Sequence, residues 1–185
     1  MEITSLVPVT SGRLVLRQFD PEDLEDLYAY QGLSSVARYL YRRPHTREDC
    51  EKVIAERVSS TTWVKDGDKV ALAICRHEQR RVMGEVTLTL ASAHARQAEI
   101  GWMLNPEYEK RGYATEAARA VAALAFDVLG VHRLFARLDA ENTDSVRVCE
   151  RLGMRREAYL VENDLDGERW GSEYIYAALA HDLKR

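Results

Sequence analysis

Cysteine and proline are scarce in this chain, at three and four of its 185 residues. Cys50, Cys75 and Cys149 are odd in number, far apart and without a Cys-x-x-Cys pair. That argues against a disulfide framework or a zinc site and for a reducing cytoplasm. The five histidines show no ligand spacing, so neither a metal centre nor a histidine-based triad is supported. No apolar run approaches the roughly 20 residues of a membrane helix. The most apolar stretch, 117–129, is interrupted by Arg119 and Asp127. The opening Met-Glu-Ile-Thr-Ser lacks the basic-then-apolar pattern of a signal peptide. The phosphate-loop pattern Gly-x-x-x-x-Gly-Lys-Ser/Thr is also missing, which removes a nucleotidase of that type. A net charge of -4 speaks against duplex nucleic acid as the main partner, because phosphate binding needs a concentrated basic face. A local basic group is nonetheless open, since Arg147, Arg151, Arg155 and Arg156 lie close together in sequence.

What is present describes an ordinary globular chain, 46% hydrophobic and 30% charged, with residues 1–185 expected to form a single domain. Residues 13–19 alternate polar and apolar, as a half-buried strand does. Asp20-Pro21 then opens a helix continued by Leu24, Leu27, Tyr28 and Gln31. Thr46 and Asp49, at capping-box spacing, predict a second helix. Strands are expected over 70–76 and 82–90, then over 97–104 before Asn105-Pro106 stops the chain. Residues 112–129 predict a long amphipathic helix with Ala114, Ala117, Val121, Leu124, Ala125 and Val128 inward, ended by Gly130. A strand over 133–138, a helix over 143–152 closed by Gly153, and strands near Tyr159 and over 172–179 complete the order. It reads β-α-α-β-β-β-α-β-α-β-β, an α/β (α+β) chain with a mixed, mostly antiparallel sheet of about seven strands and helices on both faces.

Two segments carry chemistry. In Asn105-Pro-Glu-Tyr-Glu-Lys-Arg-Gly-Tyr-Ala-Thr-Glu-Ala117 a strand end turns into a helix N-terminus. Free amides and the helix dipole there attract an anion. Gly112 permits close backbone approach, small Ala114 leaves room at the first turn, and Lys110 and Arg111 add positive charge. In Glu141-Asn-Thr-Asp-Ser-Val-Arg-Val-Cys-Glu-Arg-Leu-Gly-Met154, Asn142 and Ser145 sit at the open end of the next helix. Taken singly, each has a plain structural reading: a turn glycine in the first, a helix cap and an αL stop in the second.

Together, in this order, they resemble the acetyl-CoA signatures of the GNAT N-acetyltransferase superfamily, Gln/Arg-x-x-Gly-x-Gly/Ala and the downstream Asn-x-x-Ser/Ala. Gly112-Tyr113-Ala114-Thr115-Glu116-Ala117 is similar to the RimJ/RimL-type ribosomal-protein N-acetyltransferases, and the likeness extends from Arg13-Leu-Val-Leu-Arg17 through Glu99-Ile-Gly-Trp102 to the last strands. Glu109 departs from the pattern, standing where the family has Gln or Arg. The resemblance implies a GNAT fold with a cleft where the family's fourth and fifth strands splay, here the strand 99–104 and the strand 133–138. It implies acetyl-CoA as co-substrate and no metal. Its diphosphate would be held by Lys110, Arg111, Gly112, Tyr113, Ala114 and Thr115, and its pantetheine by main-chain groups of Met103 and Leu104 and by Asn142. Ser145 would serve the departing thiol, at the cofactor's sulfur. The family's usual tyrosine acid is replaced by Cys149, which among Val146, Val148 and Leu152 also reads as a small buried hydrophobe. For the base, Glu99 and Asp164 both qualify by position, and a water relay stays open. Asp164 also reads as part of a polar hairpin turn over 162–167.

The expected reaction is direct acetyl transfer to a primary amine, foremost the α-amine of a protein or peptide N-terminus. That acceptor would lie between the connector bearing Tyr39, Tyr41, Arg42 and Arg43 and the final hairpin. Two alternatives stand beside it: a small-amine acetyltransferase (aminoglycoside, polyamine or amino acid), and an acyl-CoA-binding module without turnover. Membrane and direct nucleic-acid partners are not expected, and the sequence leaves a homodimer open.

Overall fold

Local signals decide where the helices begin. Asp20 accepts the Glu22 N–H and Asp23 accepts the Asp20 N–H, a reciprocal box that leads through a 3-10 turn at Pro21–Asp23 into α1 (Leu24–Gln31). Thr46 and Asp49 form the same box at the start of α3 (Arg47–Ser59). Between them lies a single-turn helix, α2 (Ser34–Ala37), which has too little periodicity to be read from sequence. The computed structural model describes residues 1–183. Its strands are β1 (Val9–Ser11), β2 (Leu14–Gln18), β3 (Lys69–Arg76), β4 (Val82–Ser92), β5 (Gln97–Leu104), β6 (Arg133–Asp139), β7 (Arg155–Asp166) and β8 (Arg169–Leu179). Helix α4 (Tyr113–Asp127) joins β5 to β6, and α5 (Thr143–Leu152) joins β6 to β7. Among the described residues no helix is long and apolar enough to cross a membrane.

The sheet runs β1-β2-β3-β4-β5-β6-β8-β7, eight strands where seven were expected, because β1 has only three residues and no legible alternation. The α4 helix stops at Asp127, so Val128 caps it and is 48% exposed rather than inward. Asp164 is paired with Gly171 inside β7, and the tight turn falls later, at Gly167 with φ 61°. A register irregularity between Leu160 and Asp164 lengthens the strand past the point where its polar run suggests a turn.

Alternation divides the sheet into two faces. Leu72, Val86, Ile100, Leu134 and Ala178 pack with Val121, Ala125, Val148 and Leu152 of α4 and α5. Ala71 and Ala73, with Met103 at the margin, pack with Leu27, Tyr30 and Ile54 of α1 and α3.

Every strand pairing is antiparallel except β5 with β6, which are parallel and matched only at Gln97–Arg133, Ala98–Leu134 and Glu99–Phe135. Beyond Glu99 each strand follows its outer neighbour. β5 stays on β4 to Leu104 opposite Gly84, and β6 stays on β8 to Asp139 opposite Glu173. Gly84 tightens the first attachment, since a Cβ there would collide with the Met103 carbonyl oxygen. The two strands therefore diverge.

One buried charge interrupts the α1/α3 core. Glu85 on β4 is 2% exposed and receives Arg57 Nε (3.2 Å) and Nη2 (3.3 Å) and Gln31 Nε2 (3.3 Å). Arg42 donates in turn to Gln31 (2.7 Å). Such a pair contributes little net stability when intact, but loss of one partner strands the other charge. Arg57→Met is expected to cost about 3–5 kcal/mol in chemical denaturation, with much of it recovered by adding Glu85→Leu. A single variant as stable as the parent would show that Glu85 is not held as a buried carboxylate.

Candidate active site

The first helix terminus is built by backbone geometry. Asn105, 5% exposed, donates its N–H to the Met83 carbonyl (2.7 Å), and its side chain accepts the Glu107 N–H (3.0 Å), fixing the 3-10 turn Pro106–Tyr108. Lys110 (φ 59°) and Gly112 (φ 80°) both adopt left-handed backbone and swing the chain into α4. The first amides of α4 have no acceptor within the helix. Lys110, Arg111 and Gly112 are exposed at the mouth, Ala114 is half-buried, and Tyr113 and Thr115 turn their side chains into the core. Glu109 is solvent-exposed. Loss of solvation and the charge of Asp144 push its carboxyl up, and Lys110 opposes them.

A brace holds this loop from the β1–β2 turn. Arg13 donates through Nε (2.8 Å) and Nη2 (2.7 Å) to Glu116, and through Nη1 to the Arg111 carbonyl (3.1 Å). Its guanidinium lies 4.5 Å from the centre of the Tyr113 ring. Sequence reading placed Arg13 only in a strand motif; no local pattern reports a partner 103 residues away.

The second terminus belongs to α5. The Asn142 side-chain oxygen accepts the Ser145 N–H (3.0 Å), and Gly153 (φ 89°) closes the helix, so both capping readings hold. The Asn142 amide nitrogen retains two donors beyond that cap. The half-buried Ser145 hydroxyl accepts a hydrogen bond from Trp102 Nε1 (3.3 Å), across the divergence of β5 and β6. Cys149 is fully buried in the α4/α5 core, and burial pushes its thiol up to about 12, which removes it as a proton donor at the site.

Main-chain groups along the divergence follow from alternation. Asn105 N–H and the Met103 carbonyl are directed at β4, so Trp102 and Leu104 turn theirs toward the gap. Leu104 is thus placed as expected, whereas Met103 is a β4-facing residue that lends its side chain to the α1/α3 core.

The opposite face of the gap is polar. Glu99 ends the β5–β6 seam and points to the α1/α3 side, as do Arg137 on β6 and Glu173 on β8. Arg137 lies 3.9 Å from Glu173. Burial pushes the half-buried Glu99 carboxyl above its ordinary value; Arg137 pulls it down, Glu173 pushes it up, and Lys69 pulls it down again. Tyr41 donates its hydroxyl to Asp139 (2.7 Å) and packs on Gly171, where any Cβ would collide with its ring. The α2–α3 connector therefore does meet the final hairpin. Asp164 is exposed on β7, facing this same region near the Tyr41 hydroxyl.

The arrangement suits a slender, extended ligand with an anionic middle. The β5–β6 ladder ends at Glu99 and Phe135, the helices that follow the two strands begin beyond that end, and left-handed Gly112 precedes the first of them. Comparison with known proteins agrees. The profile described as "Acetyltransferase (GNAT) domain" matches residues 13–155. Uncharacterized N-acetyltransferase YnaD of Bacillus subtilis is 32% identical over 94% of this chain and 98% of its own. Spermidine N(1)-acetyltransferase of Escherichia coli is 27% identical over 79% of this chain and 75% of its own. The crystal structure of a GNAT-family acetyltransferase from Bacillus anthracis superposes with a TM-score of 0.83 at 30% identity, covering 92% of this chain and 97% of that one. The chain belongs to the GNAT family and is an acetyl-CoA-dependent N-acetyltransferase acting on amines.

Proposed function

We propose that residues 1–185 act as one cytoplasmic domain that acetylates the α-amine of a protein or peptide N-terminus by direct attack in a ternary complex. The observation that carries this reading is Arg137, set between Glu99 and Glu173 on the acceptor face. A peptide α-amine lies next to a carbonyl. Glu99 takes the nitrogen's proton while the Arg137 guanidinium donates to that carbonyl. The α-amine titrates near 7.7–8.0, against about 10.4 for lysine, so a carboxylate raised by burial is a sufficient base. Asp164, exposed on β7, is a less direct one.

Acetyl-CoA supplies the acetyl thioester. The amides of Gly112, Tyr113, Ala114 and Thr115, with Lys110 and Arg111, hold the diphosphate in this reading. Leu104 and Trp102 offer main-chain groups to the pantetheine, and Asn142 its amide N–H. Ser145 places its hydroxyl hydrogen at the departing sulfur.

A second reading, a small polyamine acceptor, is favoured by the carboxylates Glu99, Asp139, Glu173 and Asp164 on one face and by the E. coli spermidine relative. It leaves Arg137 with nothing to bond on the substrate.

Gly112→Val should abolish acetyl-CoA binding measured by calorimetry, while the parent binds in the range of roughly 1 μM to 1 mM usual for substrates. The left-handed φ disfavours a β-branched residue, so the turn that aims the first α4 amides would be distorted. Normal binding by a folded variant would remove the diphosphate site from this loop.

Glu99→Gln should lower kcat by about 10²–10⁴-fold. Since the folded carboxyl is raised, the parent's ionised base is lost as pH falls through a value above the ordinary carboxylate range. That acid limb of kcat should vanish in the variant; a limb that persists unchanged assigns the base elsewhere, Asp164 first.

Mass spectrometry of products from a panel of free peptides, N-terminally blocked lysine peptides and spermidine should show label on peptide α-amines. Exclusive acetylation of spermidine establishes the second reading instead. Label confined to lysine side chains sinks both.

A further inference from the structure

We propose that Trp102 is a positioning residue for Ser145, fixing the direction in which that hydroxyl presents its proton. The inference rests on the reading that Ser145 faces the departing sulfur. Ser145 occupies the first turn of α5, where a serine hydroxyl readily folds back onto nearby backbone groups. Two contacts oppose that here. Asn142 already accepts the Ser145 N–H (3.0 Å), so the terminus is capped without the serine. Trp102 Nε1 donates to Ser145 Oγ (3.3 Å), drawing the hydroxyl toward β5.

An indole nitrogen is a donor only. The hydroxyl must therefore use a lone pair on Trp102, and its own hydrogen has to point elsewhere. A hydroxyl that accepts a hydrogen bond also donates a stronger one, because the chain of bonds polarises the O–H. Trp102 thereby sets both the aim and the donor strength of Ser145. Its backbone contributes as well: Trp102 is the residue in mid-gap whose main-chain groups face β6, and its half-buried ring packs at the margin of the α4/α5 core. The sheet register that turns its amide toward a ligand also carries its indole to α5.

The test separates the hydrogen bond from the ring. In Trp102→Phe, or with benzothienylalanine at position 102 as a close isostere lacking the N–H, kcat should fall about two- to tenfold, the worth of one neutral hydrogen bond. The acetyl-CoA dissociation constant measured by calorimetry should stay within twofold of the parent. In a Ser145→Ala background the same changes at position 102 should cost nothing further. If Ser145→Ala slows turnover but neither change at 102 does, or if the two sites lower kcat independently, the positioning role of Trp102 is overturned. Unchanged kcat in Ser145→Ala instead overturns the assignment of Ser145 itself. The isostere keeps the test open should Trp102→Phe fail to fold.

Discussion

β5 and β6 are pulled apart by their outer neighbours, and that divergence governs everything the site can hold. Each strand stays paired on its outer side, β5 with β4 and β6 with β8, while the ladder between the two ends at Glu99 and Phe135. Main-chain groups of a strand left unpaired in this way demand a partner, and an open strand edge is a template for an extended chain. Here the edge lies inside the sheet. An extended chain can pair with such an edge, which suits a pantetheine arm. Because β5 and β6 are parallel, the helices that follow them open at the same end of the gap. An anion entering there meets the free amides at the start of α4 and the positive end of the α5 dipole, whose Ser145 N–H is already taken by Asn142.

The same seam sorts the chemistry by face. Glu99 is its last residue, and alternation puts Glu99 and Arg137 on the α1/α3 side while Trp102 reaches Ser145 on the other. In the proposed reading, a thioester lying in the gap is open to an amine from one side and to the serine hydroxyl from the other. A register slip of one residue would exchange the two sets, so this division is as strictly specified as the hydrophobic pattern that fixes the strands.

Most elements were legible because they are announced by short-range signals. The Thr46–Asp49 box, Asn142 as a cap and Gly153 as a left-handed stop each act over a few residues and are found where expected. The divergence of β5 from β6 came through the family resemblance; the register shows where it begins, after Glu99 and Phe135. What escaped reading depends on distant partners or on very short elements. β1 and α2 are too brief for periodicity. Arg13 bracing Glu116 and Arg57 answering Glu85 are pairings that no local pattern encodes. Trp102 was visible as part of Glu99-Ile-Gly-Trp102, but its partner Ser145 lies 43 residues away. Met103 was assigned to the gap because parity along β5 was unknown until Asn105 fixed it. Asp164 looked like a turn residue because its run is polar, whereas the irregularity after Leu160 absorbs that run within the strand.

The remaining choice is between transfer through an acyl-enzyme and direct attack by the amine. An acyl-enzyme needs a nucleophile that is exposed and ionised or activated by a base. Cysteine is the natural candidate, yet Cys50, Cys75 and Cys149 are all buried, and burial raises the thiol of each. Cys149, nearest the gap on α5, is the most strongly raised, so the thiolate is inaccessible at neutral pH. Ser145, a hydroxyl, is the other candidate at hand. Its oxygen accepts from an indole N–H, which lowers its nucleophilicity, and the site places no histidine or carboxylate beside it on that face among the contacts it makes. Glu99, proposed as the base, stands on the opposite face of the sheet from Ser145. With base and hydroxyl separated by the width of the sheet, the geometry favours a nucleophile that arrives with the acceptor.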